Sequence, residues 1–131
     1  MDWTFEFDTG RGYVLIVTHG DFNLADHRRM VESLLSSPEW RPGTATLFDH
    51  RQLRLGDVGF NDMLEVKSIH VSHDERIGNG KSAGLMSSTT DYGHGRQFQN
   101  LASGHVSAPL RIFLDEAEAI AWLLDAPGTS S

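Results

Sequence analysis

A chain of 131 residues fits one domain and is long enough to bury a hydrophobic core without disulfide or metal staples. Apolar residues make up 39% and charged residues 22%, an ordinary globular balance that excludes global disorder. The formal charge of −7, from 18 acidic against 11 basic residues with no run of Lys or Arg, argues against nucleic acid or an anionic membrane surface as a partner. Cysteine is absent, which removes disulfides, thiolate nucleophiles and Cys-ligated metals. The amino-terminal residues lack the basic and apolar regions of a signal peptide, and no apolar run approaches the roughly 20 residues of a membrane helix. A soluble cytoplasmic protein is expected.

In chain order, Trp3, Phe5 and Phe7 alternate with Thr4, Glu6 and Asp8, the period-two pattern of a strand with one buried face. Thr9-Gly10-Arg11-Gly12 supplies turn glycines, and residues 13–18, apolar on both faces, complete an antiparallel hairpin. Asp21 or Asn23 can cap the helix that follows. Its buried face is carried by His27, Met30, Val31, Leu34 and Leu35, and Ser36-Ser37-Pro38 ends it. Residues 44–49, T-A-T-L-F-D, form a short buried strand after Pro42-Gly43, with a polar loop expected from His50 onward. A second helix is expected over about residues 60–73, its orientation blurred because Val66 and Ile69 broaden the apolar stripe of Phe60, Met63 and Leu64.

Gly78-Asn79-Gly80 breaks the chain before a strand at 81–87. Ser88-Thr89-Thr90-Asp91 offers caps for a third helix, in which Gly93 and Gly95 each cost about 1 kcal/mol relative to alanine and suggest close approach to another backbone or a ligand. Residues 109–114 form the last strand, and Asp115 with Glu118 three positions on starts the last helix, with Ala119, Ile120, Trp122 and Leu123 on its apolar side. Residues 127–131 read as a frayed tail, so the domain is expected to span residues 1–126. The fold expected is α/β: a single mainly parallel, mixed five-stranded sheet with four helices in the order β-β-α-β-α-β-α-β-α, its first strand antiparallel at an edge.

The succession T-A-T-L-F-D-H-R-Q-L, then D-Y-G-H-G-R-Q-F-Q, then P-L-R-I-F-L-D-E-A-E-A-I-A-W-L resembles the SpoIIAA-like proteins of STAS-type fold, small bacterial domains that are more distantly similar to CRAL-TRIO lipid-binding domains. The resemblance covers nearly the whole chain. It implies a non-enzymatic binding or regulatory domain, acting through a protein partner or a small apolar or anionic ligand, and a homodimer. The phosphorylated serine of the anti-sigma-factor antagonists has no counterpart, because residues 49–57 hold neither Ser nor Thr.

Asp49, His50 and Arg51 lie where the carboxyl end of a central parallel strand is expected to meet solvent, the usual place for a site in an open α/β sheet. There Arg51 would anchor an anion and His50 would donate near neutral pH; the plainer reading is a local cap with two solvated neighbours. Tyr92, His94 and Arg96 flank the helix glycines and would line the same cleft. Together, Asp49, His50, Arg51, Tyr92 and His94 are also the residues from which an alternative function, a small enzyme, would be built.

His70 and His73 have the spacing of paired metal ligands, but no third ligand is fixed and His near a helix carboxyl end suits the dipole, so no metal and no cofactor is implied. No G-x-S-x-G elbow is present. Gly80-Lys81-Ser82 ends like a phosphate loop, but the required first glycine position is Glu75 and the stretch precedes a strand. Trp3, Phe5 and Phe7 supply either intramolecular core or a dimer contact.

Overall fold

The computed structural model describes residues 1–8 and 10–125. The tail at 127–131 lies outside the described residues. Ten elements follow one another: β1 (Asp2–Glu6), β2 (Val14–Asp21), α1 (Leu24–Ser36), β3 (Thr46–Arg54), α2 (Phe60–Ser72), α3 (Asp74–Ile77), β4 (Ser82–Leu85), α4 (Thr89–Ala102), β5 (Leu110–Phe113) and α5 (Glu116–Leu124). The strands lie side by side in chain order. β1 pairs antiparallel with β2, and β2 to β5 are parallel.

Because each parallel strand joins its immediate neighbour through a crossover running the same way, α1, α2 and α4 all fall on one face of the sheet. Among the described residues α5, which follows the last strand, is the helix that packs on the other face, over β3, β4 and β5. Two cores result. Val14 and Ile16 of β2 meet Met30, Val31, Leu34 and Leu35 of α1 on the first face, and Trp3, Phe5 and Phe7 pack half-buried against that cluster. Tyr13, Leu47, Ala83, Leu85 and Phe113 meet Ala119 and Leu123 of α5 on the second. The doubly apolar β2 is thereby explained: its alternate residues serve both cores.

The caps follow side-chain chemistry. Asn23 accepts from the Asp26 amide at 2.9 Å, Ser88 from the Asp91 amide at 3.1 Å and Asp115 from the Glu118 amide at 3.0 Å, each satisfying an orphan donor of a first turn.

Two sequence expectations are corrected. The helices number five among the described residues, not four, since Asp74–Ile77 adds a single turn. One turn is too short to leave a periodicity, and this one is held by tertiary bonds: Trp40 Nε1 donates to Arg76 O at 2.9 Å, and Arg76 Nη2 donates to Leu35 O at 3.0 Å. The second correction is larger. The strand expected to end at Asp49 runs on to Arg54, because β2 continues beside it to Asp21. Between the Val17–Asp49 and His19–Gln52 pairs, β3 contains one residue more than β2, a bulge at 50–51.

Candidate functional site

The bulge decides which way the central residues point. Asp49 and Arg51 face α5, while His50 faces the helix-covered side together with Phe48. Past the extra residue the alternation is reset, so Leu53, three positions on from His50, returns to that side as well.

On the α1/α2/α4 face these residues floor a cavity of about 120 Å³. Gly84 and Met86 extend the floor from the β4 segment, and Leu110 and Ile112 from β5. Met63, Val66 and His70 of α2 form one wall, and His94, Gly95 and Phe98 of α4 another. Phe22 and His27 close the end beside α1, and Leu55 and Val58 lie in the loop leading to α2. Gly95 is required by packing: a Cβ there would stand 2.9 Å from Ile112 Cγ2 and 3.0 Å from Met86 Cε, so glycine lets α4 settle onto β5. Gly93, one position before His94, has nothing within 4 Å of such a Cβ and makes no comparable approach.

Among the described residues no Asp, Glu, Lys or Arg lines the cavity, but four histidines do. His50 Nδ1 lies 2.6 Å from Oγ1 of Thr18, itself wholly buried. His27 and His70 meet Nε2 to Nε2 at 3.3 Å, an arrangement in which one ring donates and the other accepts. The rings also pack on aromatics: His50 on Phe48, His70 on Phe98, and His27 on Phe22. Burial disfavours the charged imidazolium, pushing His50 and His70 down to about 4 and His27 well below the usual imidazole range. Asp49 pulls His50 slightly the other way, whereas neighbouring histidines depress His27 and His70 further. All three are uncharged at neutral pH. His94 Nδ1 is buried and has no hydrogen-bond partner among the described residues.

The residues singled out from the sequence are divided among separate places. His50 and His94 line the cavity. Asp49, on the opposite face, receives Arg51 Nε at 3.0 Å and Nη2 at 2.9 Å, and Arg51 Nη2 also donates to Glu116 at 2.6 Å. Burial alone would raise the Asp49 carboxyl; the hydrogen bonds and charge of Arg51 outweigh it and hold the group below its ordinary value. Arg51 is therefore a clamp between β3 and α5, not an open anion anchor. Tyr92 and Arg96 share the outer side of α4, where Arg96 Nη1 donates to the Tyr92 hydroxyl at 3.1 Å.

His70 and His73 do not face a common point. His70 turns to His27, while His73 Nδ1 lies 2.8 Å from the Ile69 carbonyl oxygen. Among the described residues no group of three or more His, Cys, Asp or Glu is placed to hold a metal ion. Sequence reasoning did not identify His27 and Thr18 as parts of a site, though a signal existed: His27 is a polar ring within the apolar stripe of α1.

No family model matches the sequence, and no curated protein is similar to it. Among solved structures, the chain is similar to an uncharacterized protein of the DUF3478 family with a SpoIIAA-like fold from Shewanella loihica PV-4. The match has a TM-score of 0.58 at 15% identity and covers 93% of this chain and 92% of that one. At that identity the likeness concerns the backbone path, and the conclusion it carries with the topology above is that this chain has a SpoIIAA-like α/β fold.

Proposed function

We propose that the protein is a non-enzymatic cytoplasmic binding domain that takes a small, largely apolar ligand between its sheet and helices α2 and α4. The observation that carries this reading is the cavity of about 120 Å³ with apolar walls and a few polar nitrogens, the usual composition of a small-molecule site. An anionic ligand loses its expected anchor because Arg51 is committed to Asp49 and Glu116. An enzymatic reading gains little. The five residues proposed for it lie on both faces of the sheet, and a His50 depressed to about 4 is poorly matched to proton transfer near neutral pH.

A second reading concerns self-association. Helix α2 leaves Phe60, Leu64 and Val71 exposed on its outer side. These three side chains share one stripe of the helix, which a second copy of α2 would cover. The homodimer is accordingly proposed through α2 and not through the aromatic residues of the first strand segment, which pack on the α1 cluster.

Native mass spectrometry of freshly purified protein, compared with the denatured sample, addresses both readings. A dimer carrying added mass that disappears on denaturation is expected. A monomer that neither retains nor takes up any small apolar compound contradicts both.

A further inference from the structure

We propose that the ligand of this pocket is elongated, with an unbranched hydrocarbon tail that runs from the main cavity into a second, smaller chamber between α1 and the sheet. The inference rests on the main cavity being a small-ligand site and adds the shape of what it takes.

Two independent observations point to it. The first is continuity. On the same face of the sheet lies a second cavity of about 30 Å³, walled by Val31, Leu34 and Leu35 of α1 with Trp40, Ile77 and Ala108. Phe48, His70, Ser82 and Leu110 line both spaces, so the two chambers adjoin across these side chains. Phe48 and His70 are half-buried, and side chains exchange rotamers even within packed interiors, which lets a narrow guest pass between them. A chain of methylenes can follow this path, whereas a branched group is stopped at the constriction. At roughly 10–15 Å³ for one water-sized group, the second chamber has room for about two or three methylenes.

The second observation is that the polar side chains reaching the small chamber are already engaged. Thr46 Oγ1 donates to Ser82 Oγ at 3.0 Å, Trp40 Nε1 donates to Arg76 O at 2.9 Å, and His70 Nε2 faces His27 Nε2 at 3.3 Å. Asp74, which also borders an open surface groove, accepts from the Ser107 amide at 2.8 Å and from the Ser107 hydroxyl at 2.6 Å. A polar tail would lose its hydration in this chamber and would have to displace one of these bonds to regain a partner. An anionic tail would also meet the Asp74 carboxylate. A hydrocarbon tail loses no hydrogen bond and buries apolar surface.

The test compares toluene, n-butylbenzene and tert-butylbenzene, with binding followed at pH 7.5 by amide chemical shifts. The two butylbenzenes carry the same number of carbons, so a difference between them reads shape. Each methylene placed in the second chamber is expected to tighten binding about fourfold, so n-butylbenzene should bind about tenfold or more tightly than tert-butylbenzene. In the wild-type chain n-butylbenzene should shift amides around Val31, Leu35 and Ala108 that toluene leaves unmoved. Ala108→Leu, which fills the second chamber, should remove the advantage of n-butylbenzene while toluene binds as before; the wild-type shift pattern tests the proposal even if that variant does not fold. Equal binding of the two butylbenzenes, unmoved amides around Val31, Leu35 and Ala108, or an unchanged n-butylbenzene affinity in a folded Ala108→Leu overturns the tail site and leaves the main cavity standing. If toluene does not bind either, the small-ligand reading itself fails.

Discussion

His50 and Arg51, adjacent in sequence and alike in polarity, end on opposite faces of the sheet and do different work. His50, with His70 and His27, is an imidazole whose folded-state pKa lies below its unfolded value, so between about pH 6.5 and 4 the unfolded chain binds more protons than the native one. Stability therefore rises with pH across that window and is lost on acidification from 6.5 towards 4, on the order of 3 kcal/mol for each of His50 and His70. Urea midpoints measured from pH 7.5 to 4.5 should fall steeply, and His50→Gln should flatten the fall; a flat profile in the parent protein contradicts buried neutral imidazoles. Asp49 does not confuse this window. Its depressed carboxyl contributes above its unfolded value of 3.8 and loses that contribution only as pH drops further.

Arg51 makes a different prediction. Arg51→Ala strands a buried carboxylate and should cost about 2 kcal/mol, its own partial exposure having been allowed for. Adding Asp49→Asn should return part of that loss. A double variant less stable than Arg51→Ala would contradict the clamp.

At the scale of elements, amphipathic order, caps and breakers were legible: α1 with Asn23, α5 with Asp115, and the strands around residues 13–18 and 109–114 stand where periodicity and capping chemistry put them. The extension of β3 to Arg54 was not, because H-R-Q-L after Asp49 reads as a polar loop and becomes strand only through pairing with β2. That single miss dispersed the expected site, since in a strand neighbouring side chains face apart. The glycines separate on similar grounds. At Gly80 a Cβ would lie 2.3 Å from the Gly43 carbonyl oxygen, so Gly80→Ala must shift backbone and should destabilise by about 2 kcal/mol or more. Gly93 has open space, and Gly93→Ala should stabilise α4 by about 0.5–1 kcal/mol. Thermal unfolding of the two variants checks both signs, and a stabilised Gly80→Ala would refute the packed contact.

For the whole molecule, the sheet order fixes what the pocket can be. Successive crossovers place α1, α2 and α4 together on one face, and histidines from α1, β3, α2 and α4 that are far apart in sequence converge there. The topology was legible from alternating strands and helices. The convergence was legible only for His50 and His94, which were expected to line one cleft; His27 reads as core and His70 as half of a helix-end pair with His73 until the register between elements is known. Among the described residues no helix is long and apolar enough to cross a membrane. We propose that the space between sheet, α2 and α4 receives a small apolar molecule. Amide chemical-shift mapping during titration with toluene tests it most directly. Saturable shifts confined to the surroundings of Leu53, Met63, Gly95 and Ile112 are predicted; saturable shifts centred instead on Trp3 and Phe5, or none at all, would contradict the account.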